Sequence, residues 1–289
     1  MGAVRLTIAA AAIGAIPASV SAHLLITEIT TTPTSSEFVE IHNPDASAVS
    51  LDDYYLSDRV YGGAPEYADV VLGSGALQPV SSDFLARFPA GSSIGPNETV
   101  IVAVSGGDFK GDFPGITPNF EIHNTDAGVD DMTDVDGLIG TSDALLSNAG
   151  EVVVLFHWDG ASDLVQDVDI ALWGDKAEAV DKTGISKDGP DGDSDPTTYQ
   201  DDTSADAQTV ILDDAHPFGE SYQRVDCNEM SESSSGGNGI SGDDETSEDL
   251  SHWTSATPGP GNPPASGDCG SVSVQNISWS QLKARHINQ

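Results

Sequence analysis

Glu151-Val-Val-Val-Leu-Phe156 is an apolar run with no polar alternate. A strand with one wet face reads polar at every second position, so this one is expected to be covered on both faces, as in the middle of a packed sandwich. Working outward, short runs rich in Val, Ile, Leu and aromatics predict further strands near residues 24–29, 37–42, 54–57, 69–72, 98–104, 164–172 and 221–225. Gly, Pro, Asn, Asp and Ser separate the runs, and no stretch keeps a helical period for three turns. The segment SSDFLARF at residues 81–88 predicts a short helical turn, with Ser82 or Asp83 as its cap. In residues 164–172 the polar positions, Gln166 or Asp167 and Asp169, suit one solvated face. Three connections, 106–143, 181–219 and 226–251, are dense in acidic and turn-forming residues, and loops of such length are functional, metal-ordered or disordered.

The chain carries 47 Asp and Glu against 10 Lys and Arg, a formal charge of -37. Nucleic-acid binding needs clustered cations that release counterions, and ten dispersed ones do not form such a groove. Cations and cationic surfaces are the favoured partners, and the same acids keep the surface hydrated.

Residues 1–22 place Arg5 ahead of a short apolar run and end in Val20-Ser21-Ala22, the anatomy of a secretory signal peptide cleaved before His23. The apolar run is too short to span a bilayer, so a protein exported in soluble form is expected, released or held at the cell surface. Cys227 and Cys269 would pair in such a compartment. The loop they close would stabilise by roughly 4 kcal/mol on a chain-entropy basis. Residues 23–265 are expected to form one domain and residues 266–289 a tail. That tail holds Lys283, Arg285 and His286 without any acid, and Val272, Val274, Ile277, Trp279 and Leu282 favour its docking on the domain.

Calcium is the cofactor that the acids suit best. Asp188, Asp191, Asp193 and Asp195 put oxygens at alternate positions of a turn-rich loop and Asp202 follows, a pattern for a hard cation taking six to eight oxygens. Read as an EF-hand from Asp191, the loop has Pro196 where that motif needs Gly, so an EF-hand proper is not expected. Asp130, Asp131, Asp134 and Asp136 form a less regular cluster, as do Asp243, Asp244 and Glu245. Paired acids could also cleave glycosides, but no aromatic platform surrounds an obvious pair. The histidines are dispersed without HExxH spacing. His23, as a new N-terminus, could bind copper only with a second histidine that the sequence does not single out. No Gly-x-Ser-x-Gly elbow occurs, and the Gly237–Gly239 run lacks a phosphate-loop setting.

Taken in order, Leu25-Ile-Thr-Glu-Ile29, Glu37-Phe-Val-Glu-Ile-His-Asn-Pro44, Val49-Ser-Leu51 and Tyr55-Leu-Ser-Asp58 resemble the opening of a lamin-tail domain. Phe88-Pro-Ala-Gly91, Ile94-Gly-Pro-Asn-Glu98, Leu146-Ser-Asn-Ala-Gly150, Trp158-Asp-Gly160, Ser221-Tyr-Gln-Arg224 and the stretch from Trp253 to Asn262 continue the pattern. The resemblance implies an all-β, immunoglobulin-like antiparallel sandwich, here with long acidic loop insertions. It further implies a non-catalytic interaction or tethering role in exported bacterial relatives, toward an extracellular protein or surface partner. Filament assembly does not carry over, because no heptad rod is present. Glu28 and Glu40 fall on paired strands and would repel, so Arg224 is expected to bridge one of them. A secreted metal-dependent hydrolase with its site in the acidic loops is the alternative.

Overall fold

The computed structural model describes residues 24–225, 227, 250 and 252–262. In chain order its strands are β1 (Leu25–Thr30), β2 (Phe38–His42), β3 (Val49–Ser50), β4 (Tyr54–Ser57), β5 (Leu85–Arg87), β6 (Ser93–Ile94), β7 (Thr99–Ser105), β8 (Phe120–His123), β9 (Asp130–Asp131), β10 (Thr133–Asp134), β11 (Glu151–His157), β12 (Gln166–Trp173), β13 (Ser186–Lys187), β14 (Thr197–Thr198), β15 (Ser221–Arg224) and β16 (Trp253–Ala256). A helix, α1 (Gly106–Asp112), follows β7, and 3-10 turns form at Thr34–Ser36 and Glu66–Leu72.

Two sheets carry the fold. One has the order β16-β15-β1-β2-β7-β8-β9, the other β10-β5-β4-β11-β12. Pairing is antiparallel except where β8 lies parallel to β7 and β9. Apolar residues of both sheets, among them Ile26, Val39, Ile41 and Val102 with Leu56, Val154 and Trp173, pack in one core. The run at residues 152–156 is fully buried, and β11 lies between β4 and β12. Its second cover comes from the chain between the strands: Tyr67 of the 3-10 turn packs on Phe156 at 5.2 Å between ring centroids.

Several local expectations change. Residues 69–72 belong to a 3-10 turn, not a strand, because Tyr67, Ala68, Val70 and Val71 are buried as a cap over the second sheet. Residues 81–88 contain β5 rather than a helical turn. β5 pairs with β4 on one side and β10 on the other, so Leu85 and Ala86 are both buried and no polar alternate marks the strand. Inside the acidic stretch 106–143, Ser105 caps α1 through Asp108 N at 3.3 Å. Phe109 and Phe113 of that stretch meet Phe38 edge-on at 5.5 and 5.8 Å, on a second small core.

Asp167 and Asp169 are not solvated, as strict alternation would have them. A bulge shifts the register of β11 and β12 so that Leu155 faces Asp169 and Phe156 faces Asp167. Cross-strand partners share a face, so the two aspartates point to opposite sides of the sheet, and both are buried.

Gly174, at φ 79°, ends β12, and a Cβ there would run into Ala149 O and the Gly150 backbone. Gly174→Ala is therefore expected to destabilise by at least about 2 kcal/mol, from left-handed strain plus displacement of the 149–150 turn. An unchanged urea midpoint would refute this account of the turn.

Candidate functional site

At the end of the sandwich where β11 begins, five segments line a cleft of about 730 Å³. Val60 and Tyr61 come from the chain after β4, Glu66 from the 3-10 turn, Val80, Ser82 and Asp83 from the approach to β5, and residues 144–151 from the approach to β11. Glu178, beyond β12, closes the floor beside Glu151. The 144–150 wall is held in place. Glu37 Oε2 accepts from Leu145 N at 2.9 Å and Leu146 N at 3.1 Å, and Trp173 Nε1 donates to Ser147 O at 2.9 Å.

The floor is crowded with carboxyls. Burial raises the proton affinity of Glu151 far above the ordinary carboxylate range, with the neighbouring Glu178 and then Asp58 adding to the effect. Asp58, fully enclosed, is pushed well up by burial, and Asp83 adds repulsion. Asp58 Oδ1 accepts from Phe84 N at 2.6 Å, but Asp58 Oδ2 and Glu178 Oε2 are buried with no hydrogen-bond partner. Arg59, also buried, gives Nη2 to Glu66 Oε2 at 3.0 Å and to Gln78 O at 2.9 Å, while its Nε and Nη1 have no partner. Tyr61 and Val80 at the rim are large hydrophobics exposed by 79 % and 40 %.

A second acidic pair is sealed. Glu28 and Glu40 face each other across β1 and β2. Glu28 Oε1 accepts from Ser221 Oγ at 2.6 Å and Gly259 N at 3.0 Å; Glu40 accepts from Thr27 Oγ1 at 2.7 Å and Gly261 N at 2.5 Å. The Pro258-Gly-Pro-Gly-Asn262 stretch therefore lies over both carboxyls as a backbone lid. Burial raises Glu28 and takes Glu40 to about 8, the nearby Glu28 charge adding to the Glu40 shift.

Arg224 does not bridge this pair, contrary to expectation. Gln223 faces Glu28 in the register, so Arg224, one residue on, points to the opposite side of the sheet. There its Nη2 meets Asp169 Oδ2 at 2.7 Å and its Nε donates to Ile26 O at 2.9 Å, while Asp169 Oδ2 also accepts from Ile26 N at 2.6 Å. The bulge between Ile26 and Glu28 occurs where these backbone groups are taken by side chains, and the result ties β12 of one sheet to β1 and β15 of the other. A second buried pair, Lys182 with Asp167, is completed by Tyr67, whose hydroxyl lies 2.9 and 2.8 Å from the two Asp167 oxygens.

Of the five aspartates expected to hold calcium, Asp188 has Asp191, Asp193 and Asp195 as charged neighbours, and Asp202 is engaged with the Lys182 backbone. Asp188, Asp191, Asp193 and Asp195 are exposed between β13 and β14, and Asp191 and Asp193 cap local backbone at Asp193 N and Asp195 N. Asp202 turns away to accept from Lys182 N at 2.9 Å. Of the second cluster, Asp134 caps Leu138 N at 2.8 Å and Asp131 accepts from Asn124 at 2.7 Å. Among the described residues no three His, Cys, Asp or Glu are placed to hold a metal ion. His23, the 243–245 cluster, Cys269, the leader and the tail lie outside the described residues, while Cys227 is buried beside Leu25. Among the described residues no helix is long and apolar enough to cross a membrane. Sequence reading missed the cleft, since no motif joins positions 58, 83, 151 and 178.

Fold and site together define an all-β, immunoglobulin-like sandwich. The chain belongs to the lamin tail domain family, whose model matches residues 17–216. The crystal structure of a DUF4876 family protein from Bacteroides thetaiotaomicron VPI-5482 is similar over 47 % of this chain at 20 % identity, with a TM-score of 0.33. The chain spans 43 % of that protein's length. No curated protein matches the chain.

Proposed function

We infer that this chain is a non-catalytic interaction or tethering module of the lamin-tail type, exported to act outside the cytoplasm. The observation that carries the reading is the state of the acids in the open cleft. Catalysis by proton transfer favours a group that titrates near the working pH, whereas burial and crowding hold Glu151 far above it. Open apolar residues at the rim, Tyr61 and Val80, favour contact with a partner. Membership of a family of typically non-enzymatic domains supports the same conclusion. The test is a screen of the purified chain on glycosides, phosphoesters and peptides: turnover abolished by Glu151→Gln would replace this reading with that of a hydrolase.

Export predicts a mature chain beginning at His23 with Cys227 joined to Cys269. Intact-mass and non-reducing peptide mapping of protein secreted by its producing cells reads both, and a retained residue 1 or a reducible mass shift of zero would remove them. Ordering of the 188–195 loop by calcium is a separate proposal. Its support is the crowding of Asp188, raised by slight burial and then by Asp163, Asp191, Asp193 and Asp195. A melting midpoint that calcium moves no more than sodium of equal ionic strength does would remove it.

A further inference from the structure

The cleft has the composition of a receptor for one long cationic side chain. Its walls and rim offer Val60, Val80 and Tyr61 to an aliphatic stem, and its floor offers Glu151 and Glu178 to a charged head. Behind Glu151 stands Asp58, only 2 % exposed, with an unpartnered Oδ2; Glu178 Oε2 is likewise buried and unpartnered. These oxygens accept, and nothing on the floor donates to them. An ammonium group carries three donors on a narrow stem and can serve several such oxygens at once. A metal ion is the poorer match, because no three ligating side chains among the described residues are grouped for one.

The local charge balance agrees. Asp83, Glu151 and Glu178 line the cleft, Asp58 lies close enough behind them to act on Glu151, and Arg59 is the neighbouring cation that opposes a second one. Arg59 gives its Nη2 to Glu66 and the Gln78 carbonyl, and no Arg59 donor reaches Glu151 or Glu178. The overall charge of -37 draws cationic surfaces toward the protein before any contact forms.

We propose that this cleft binds a lysine side chain presented by a partner protein, its methylenes against Val60, Val80 and Tyr61 and its ammonium between Glu151 and Glu178. The proposal rests on the interaction-module reading and names the partner chemistry. Exposure of the rim favours a side chain carried on a protein surface over a free amine, since Tyr61 then also covers partner backbone.

Binding exchanges a proton for the ammonium. Burial, with Glu178 and Asp58 adding to it, keeps a proton on Glu151; an incoming ammonium favours the ionised form, and the proton leaves to solvent. If one proton is released, affinity rises about tenfold per pH unit, until the lysine itself deprotonates near pH 10.

The test is calorimetric titration of the full chain with the blocked peptide acetyl-Gly-Lys-Gly-amide at pH 6.5, 7.5 and 8.5. Expected are saturable binding that strengthens with pH, at least tenfold weaker binding of the norleucine peptide, and loss of binding in Glu151→Gln/Glu178→Gln. Tyr61→Ala, at an exposed position, should weaken binding severalfold without moving the melting midpoint, so the proposal stays testable if the double variant fails to fold. Equal binding of lysine and norleucine peptides, or indifference to both sets of substitutions, overturns it. Cadaverine binding where the peptide does not overturns it in favour of a small amine, and calcium displacing the peptide at lower concentration overturns it in favour of a metal. Each of these failures leaves the module reading standing, which falls only to turnover.

Discussion

Replacing Lys182 by methionine is expected to cost about 3 to 5 kcal/mol, the usual penalty for breaking a buried ion pair from one side. The side chains of Lys182 and Asp167 are 0 % and 1 % exposed, so the Asp167 charge left behind cannot reach water. The Tyr67 hydroxyl, a neutral donor, would still serve it but cannot balance its charge. Tyr199 and Tyr67 also present their ring faces to the ammonium at 5.2 and 5.9 Å, contacts that methionine replaces in shape but not in charge. The double change Lys182→Met/Asp167→Leu removes both charges and should be distinctly less damaging than the single one. A urea-denaturation cycle with all four proteins reads the difference as a coupling energy. Additive effects would show that the pair does not hold the 3-10 cap and the chain beyond β12 onto the second sheet.

This pair also shows where the sequence stops being legible. Strands with an unbroken apolar run, such as residues 152–156 of β11, or with alternating apolar residues, such as Val39 and Ile41 of β2, announce themselves. The sandwich follows from them, because such runs have to be covered. Asp167 and Asp169 read as a wet face because alternation assumes unbroken register, and the bulge at Val168 that separates them is set by pairing with β11 rather than by local residues. For β5 the reason is different: a central strand of three residues is too short for any period to show. Glu28 and Glu40 are legible as neighbours, but not their relief. The nearest arginine in the strand was on the wrong face, and the repulsion is met by burial of protons and by the Gly259 and Gly261 amides. No local signal joins Asp58, Asp83, Glu151 and Glu178, which come from four separate segments, so the cleft exists only in the folded chain.

Stability is expected to fall by at least about 3 kcal/mol between pH 6.5 and pH 9, the sum of the losses from Glu40 and Glu37 alone. Glu37 and Glu40 are buried, and burial lifts them from 4.5 to about 7 and about 8. A carboxyl with a raised pKa binds its proton more tightly in the folded chain than in the unfolded one. Its contribution is therefore complete below about pH 4.5 and is lost as pH rises through the folded value. Over the stated window this amounts to about 2 kcal/mol from Glu40 and about 1 kcal/mol from Glu37. Glu28, Asp58, Glu151 and Asp202 are raised as well and act in the same direction. His216, lowered by burial, acts with opposite sign, but only as pH falls below its ordinary 6.5, outside the window. Ionising Glu40 beside Glu28 brings two charges together beneath the Pro258-Gly-Pro-Gly-Asn262 stretch, so that lid should loosen first. Hydrogen exchange at Gly259 and Gly261 should accelerate, beyond the intrinsic base dependence, over the same range in which urea stability declines. Glu40→Gln cannot ionise and should flatten the decline, gaining on the parent at pH 9 even if it is weaker at pH 6.5. A stability that is level or rises from pH 6.5 to 9 would mean that Glu37 and Glu40 ionise freely in the folded chain, and that the sandwich does not enclose them as described.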